Sequence, residues 1–254
     1  VTELDPVIRR VLVALSGRAD ELALLEAGAE LAARMQAELA ALFVEDLGLL
    51  RASRLPGVFE LGRLSAQSRR LDPVELERAL RTAASQAEAC LRQAAAARAI
   101  RFSFQIAQGH LQQQVLTLAG RMDAILMGAP GAAGRQRQPA RPVAVLYDGS
   151  PEAGQALTLA AALAEALGVP CTALIPARDT AEYSTRLAHA RLRAGGLGGL
   201  GGERTASAEA GALADAANRL RASTLVLPAL RSAGEGDWLK ALLKRLDCDL
   251  LLLR

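Results

Sequence analysis

Val11 realigns on Val143, an offset of 132 residues, and the match continues without a gap for more than thirty residues. Under that offset Val13 meets Val145, Gly17 meets Gly149, Leu25 meets Leu157, Ala29 meets Ala161, Leu31 meets Leu163 and Leu42 meets Leu174. A fixed internal period marks a duplicated structural unit. Whatever fold serves the first copy must therefore also serve the second.

Each copy opens with a short apolar run, VLVAL at 11–15 and VAVLY at 143–147, closed by a turn containing glycine. Runs of this length and composition predict buried strands. Leu22, Leu25, Ala29 and Ala32 then recur at helical spacing, as do Leu157, Ala161 and Ala164, which predicts an amphipathic helix in each copy. Second strands follow at 39–44 and 172–177. This β-α-β order is the beginning of a parallel sheet with crossover helices.

Further along the first copy, Asp72, Pro73 and Glu75 form an N-cap, a proline in the first turn and a capping-box acid, opening an Ala-rich helix to about Arg98. A third strand, IRFSFQI, ends near Gln108-Gly109, a helix spans about Leu111 to Gly120, and AILM at 124–127 is the fourth strand. The second copy compresses this plan. It has a helix over about 181–194, a weak strand near 204–207, a helix over about 208–220 and the strand TLVLP. Its Gly195 to Gly202 stretch reads as a flexible connector. Trp238 to Leu246 then reads as a helix and Asp249 to Leu253 as a fifth strand. In the first copy too few residues separate Gly131 from the next repeat to hold both a helix and a fifth strand, so that domain is expected to lack it. The expected domains are 1–140, with an insertion at 46–72, and 141–254.

Composition excludes several function classes. The 30 basic and 27 acidic residues nearly balance, and aromatics are only 3%, so a base-stacking nucleic-acid surface is not expected and the arginine clusters read as solvated loops. The core must instead be built from Ala, Leu and Val. Cys90, Cys171 and Cys248 lie far apart and form neither a zinc spacing nor a disulfide framework, which fits a reducing cytoplasm. The opening VTELDPVIRR lacks the apolar run of a signal peptide, and no stretch is long enough to span a membrane, so a soluble cytoplasmic protein is expected. His110 and His189 have no metal-ligating neighbours in sequence, and Ser150 is not in a nucleophile elbow. No catalytic constellation is apparent.

The chain resembles the universal stress protein family, most strongly at VAVLYDGSPEAGQALTLAAALAEALG and DAILMGAPGAAG, with DCDLLLLR similar to the family's closing strand. The resemblance covers nearly the whole chain twice. It implies two tandem flavodoxin-like α/β domains, of the adenine-nucleotide-α-hydrolase-like type, with parallel sheets of order 3-2-1-4-5 and ligands bound where strands 1 and 4 diverge. ATP-binding members carry an acid at the end of strand 1 and, after strand 4, a G-x-x-G loop followed nine residues later by a further glycine. Glycines there let backbone amides approach phosphates closely.

Neither copy holds the whole set. The first has Gly128, Gly131 and Gly134, but its strand 1 ends at Ser16-Gly17 without the acid, and Arg141 stands at the distal glycine. The second keeps Asp148-Gly149-Ser150, but Pro228 and Arg231 replace the glycines. Each half-motif also has a plain structural account, as a turn after a buried strand or as a Ser150 N-cap with Pro151 in the first helical turn. The expectation is a non-catalytic stress-response or regulatory protein that acts through a protein partner or self-association, including a homodimer, with weak or lost nucleotide binding. The alternative is an ATP-binding protein using the first domain's glycine loop, with Ser16 in place of the acid and slow hydrolysis not excluded. The 46–72 insertion is either a flap over the first domain's pocket, a contact surface or a passive excursion.

Overall fold

The paired apolar runs form strands because Val and Leu side chains alternate onto two faces of a sheet that is covered on both sides. The computed structural model describes residues 8–18, 21–61, 68–128, 141–194, 199–228 and 235–254. Its first half comprises β1 (Arg10–Leu15), α1 (Leu22–Arg34), β2 (Glu38–Asp46), α2 (Leu47–Ser53), β3 (Phe59–Leu61), β4 (Ser68–Arg70), α3 (Pro73–Ala97), β5 (Phe102–Gly109), α4 (Leu111–Ala119) and β6 (Ala124–Met127). The second comprises β7 (Val143–Leu146), α5 (Pro151–Leu167), β8 (Cys171–Pro176), α6 (Thr180–Arg193), β9 (Gly201–Thr205), α7 (Ala210–Arg219), β10 (Thr224–Leu227), α8 (Glu235–Arg245) and β11 (Asp249–Leu253).

One nine-stranded sheet runs through the molecule in the order β5-β2-β1-β6-β11-β10-β7-β8-β9. The first half contributes a parallel 3-2-1-4 segment and the second a parallel 3-2-1-4-5 segment. The apolar closing strand β11 joins them: Leu251 lies opposite Val226 in a parallel pairing and opposite Leu126 in an antiparallel one. The place beside β6 where a fifth strand of the first half would sit is thus filled from the second half. Because β11 runs against β6, the two halves point in opposite directions, and their strands' carboxyl ends open at opposite edges of the sheet.

Two apolar layers cover the sheet. On one face α1, α3, α5 and α6 pack through Leu25, Leu91, Leu157 and Ala190. On the other, α4, α7 and α8 pack through Val115, Leu213 and Leu239. Leu251 belongs to the first layer and Leu250 and Leu252 to the second, so β11 is buried on both sides. Among the described residues, no helix is long and apolar enough to cross a membrane.

Four local expectations need correction. The helix α3 starts at Asp72, whose side chain accepts the Val74 N–H at 2.8 Å, but Glu75 pairs with Arg69 at 3.1 Å, so that carboxylate is drawn to a cation on β4. The third strand of the first half starts at Phe102, two residues later than the IRFSFQI run implied, and ends at Gly109 as expected. In the second half, Gly201 and Gly202 belong to strand β9 rather than to a connector, whose residues 195–198 lie outside those described. Glycine is needed there for packing: a Cβ on Gly202 would come within 2.6 Å of the Tyr183 hydroxyl and 2.7 Å of Leu187 on α6. Leu22, placed on the buried face of α1 by its spacing, is 37% exposed, because the buried stripe starts at Leu24 and Leu25. The 46–72 insertion folds as α2 and the antiparallel β3–β4 pair.

Candidate functional site

In a sheet of this kind a ligand is sought at the carboxyl ends of the central strands, where the chain crosses to opposite sides. In the first half that crevice lies between the ends of β1 and β6. Ala14 pairs with Met127, which brings Gly128 level with Leu15. Gly17 turns the chain with φ +85°, and its repeat-mate Gly149 does so with φ +91°, a left-handed conformation that glycine adopts without strain. The duplicated turn is therefore preserved in backbone geometry.

Its chemistry differs between the halves. In the second, the exposed Asp148 accepts the Ser150 N–H at 2.9 Å, and Ser150 caps α5 by accepting the Ala153 N–H at 3.2 Å. Asp148 thus has a local partner that the N-cap account had left unexplained. In the first half the residue aligned with Asp148 is Ser16, and the residue aligned with Ser150 is Arg18. The Arg18 N–H still meets a carboxylate, that of Glu21, at 3.1 Å. Glu21 also accepts the Ser16 N–H at 2.7 Å and the Ser16 hydroxyl at 2.7 Å, and the whole residue is 2% exposed. The acid absent from the strand end is supplied from within the turn.

That replacement sets a carboxylate on the amides of the crevice. Backbone amides at such a turn are what would bind a phosphate, and here the Ser16 and Arg18 amides are already taken by a buried negative charge. The Arg18 guanidinium lies 3.6 Å from the Glu21 carboxylate and covers Gly128 so closely that a Cβ there would come within 2.7 Å of it. Gly128 accordingly faces a side chain of its own protein. Gly131 and Gly134 lie outside the described residues, as does Arg231. Sequence reasoning missed both Glu21 and Arg18, since an acid before a helix reads as an ordinary helix-start residue.

Beside the turn, a cavity of about 110 Å³ is lined by Leu15, Gly17, Glu21, Phe43 and Ala87. Pockets for drug-sized ligands measure roughly 300–1,000 Å³, so this cavity is smaller than a ligand pocket of ordinary size. In the second half Leu15 is replaced by Tyr147, whose buried side chain reaches α6 and makes a 2.9 Å hydrogen bond with His189 Nδ1. Burial raises the Tyr147 pKa, so the phenol stays protonated. Pro228, which has no N–H to offer, follows β10 where Gly128 follows β6.

A larger cavity of about 400 Å³ lies two strands away, over the ends of β2 and β5, with α2 as one wall. Two of its three arginines, Arg54 and Arg81, are drawn to Glu77, at 3.2 and 3.4 Å, and Glu45 accepts from Gln108 at 3.0 Å. The insertion therefore walls a pocket, though one displaced from the strand 1–strand 4 crevice. His110 is exposed at the start of α4, 3.8 Å from Asp46. Among the described residues no group of His, Cys, Asp and Glu gathers to hold a metal.

No family model and no curated protein matches the sequence. Solved structures do match. A universal stress protein from Archaeoglobus fulgidus DSM 4304 superposes with a TM-score of 0.53 at 12% identity, over 96% of this chain and 98% of that one. The fold is that of the universal stress protein structures. A putative universal stress protein from Pseudomonas aeruginosa UCBPP-PA14 gives a TM-score of 0.52 at 15% identity, over 97% and 93% of the two chains. A functionally unknown protein from Pseudomonas aeruginosa PAO1 gives 0.51 at 15% identity, over 97% and 92%. The likeness spans both halves of the chain.

Proposed function

We propose that this chain is a tandem member of the universal stress protein family that acts in the cytoplasm as a non-catalytic regulatory protein. It works by associating with protein partners, and its nucleotide binding is weakened or lost. One observation carries this reading: the Glu21 carboxylate occupies the amides of the first-half turn, the half in which the glycine loop is still permissive. A phosphate entering there would meet a buried like charge, and two amides would have to exchange acceptors. The second-half crevice has the acid but presents Pro228 in place of a glycine. The two crevices open at opposite edges of the sheet, so neither half can complete the other's motif within one chain.

The competing reading, an ATP site on Gly128, Gly131 and Gly134, requires Arg18 and Glu21 to leave the crevice. Nucleotide content distinguishes the two. Protein purified without added nucleotide should show no excess absorbance at 260 nm and release no adenine nucleotide on acid extraction. Stoichiometric release would overturn the proposal.

A further inference from the structure

The two edges of the nine-stranded sheet are built differently. The β9 edge is five residues long and carries Glu203 and Arg204, the charged, short design that discourages edge pairing. The β5 edge is eight residues long, FSFQIAQG, with no charge and no proline. It has none of the usual protections.

Its hydrogen-bonding groups can be assigned. The Leu39 N–H donates to the Arg101 carbonyl, and Leu39 stands in register with Phe102. Because orientation alternates along a strand, Ser103, Gln105 and Ala107 turn their backbone groups to β2, while Phe102, Phe104 and Ile106 turn theirs outward. These three residues also share one face, since Phe104 packs into the α1–α3 layer. Phe102 and Ile106 remain 38% and 56% exposed. Outward-turned backbone groups thus lie on three residues, two of which, Phe102 and Ile106, also expose apolar side chains.

We propose that β5 is a homodimer interface, pairing antiparallel with β5 of a second copy about a two-fold axis at Phe104. Only this register opposes all three outward residues to one another, placing Phe102 opposite Ile106 and Phe104 opposite Phe104. A shift one way sets Phe102 against Gln108, whose carbonyl already accepts from Gln114. A shift the other way sets Ile106 against Ile100, whose N–H already donates to Ala95. The pairing brings no like charges together, because the two Arg101 side chains would start about 20 Å apart along the strands, beyond the screening length. A second copy suits the edge better than a charged peptide, because the strand is neutral and complementary to itself. The inference does not depend on the fate of the nucleotide crevice.

Sedimentation or light scattering at tens of micromolar should give twice the 26.6 kDa chain mass. Ile106→Lys, at an exposed position, should be folded by circular dichroism and monomeric. Phe104→Cys should cross-link under mild oxidation beyond the wild-type level, because directly opposed residues lie about 5.5 Å apart at Cα, within disulfide reach. Phe102→Cys should not, its two copies being about 13 Å apart. A wild-type monomer, a dimer that survives Ile106→Lys, or equal cross-linking at the two positions would each overturn the proposal.

Discussion

At the residue scale, the repeat has conserved a bond while moving the group that makes it. The amide three residues beyond Leu15 and its repeat-mate Tyr147 donates to a carboxylate in both halves, that of Glu21 in the first and that of Asp148 in the second. Burial makes the two unequal. Glu21→Ala would strand the half-buried Ser16 and Arg18 amides, each costing about 1–3 kcal/mol when left unpaired, so a loss of about 2–4 kcal/mol is expected in urea unfolding. Asp148→Ala, in an exposed turn, should lose only about 1 kcal/mol. Equal losses would remove the distinction. The thiols offer a second expectation. Desolvation pushes the Cys171 pKa up to about 11, and burial also raises that of Cys90. Both should therefore react slowly with an aromatic disulfide at pH 8 until the protein is denatured. A thiol whose pKa is raised on folding supports the native state below its unfolded pKa and ceases to do so as pH rises through the folded value. The melting temperature should accordingly fall between about pH 9 and pH 11. A flat profile across that window would contradict the burial of Cys171.

At the element scale, the strands and helices were largely legible because each is written in local pattern: VLVAL and VAVLY as buried runs, Ser150-Pro151 as a helix start, DLLLL as a closing strand. The need to pair that closing strand was also legible, since an apolar edge does not stay bare. Its dual membership was not, because the antiparallel pairing of Leu251 with Leu126 is a long-range choice with no local signature. Nor was the strand at Gly201-Gly202, where Gly202 answers to Tyr183 and Leu187 across space rather than to chain flexibility. Joining both halves, β11 should make them unfold together. The wild type should melt in a single transition with matching calorimetric and van't Hoff enthalpies. Deleting residues 249–254 should abolish that single transition and promote aggregation through the bared β6 and β10. Two separate transitions in the intact chain would contradict a shared strand.

At the scale of the whole molecule, one sheet holds two crevices that face opposite ways, each with part of the sequence motif. Motif spacing points to these two strand ends, but it could not reveal that a carboxylate of the chain's own already sits on the turn amides of the first. The carboxylate of Glu21 is distant by five residues from the turn amide of Ser16 that it meets. On the proposed reading these amides are unavailable to phosphate. Calorimetric titration of the purified chain with ATP and magnesium tests it most directly. The account predicts no saturable heat at protein concentrations of tens of micromolar, whereas one-to-one binding in the micromolar range that Gly131→Arg abolishes would contradict it.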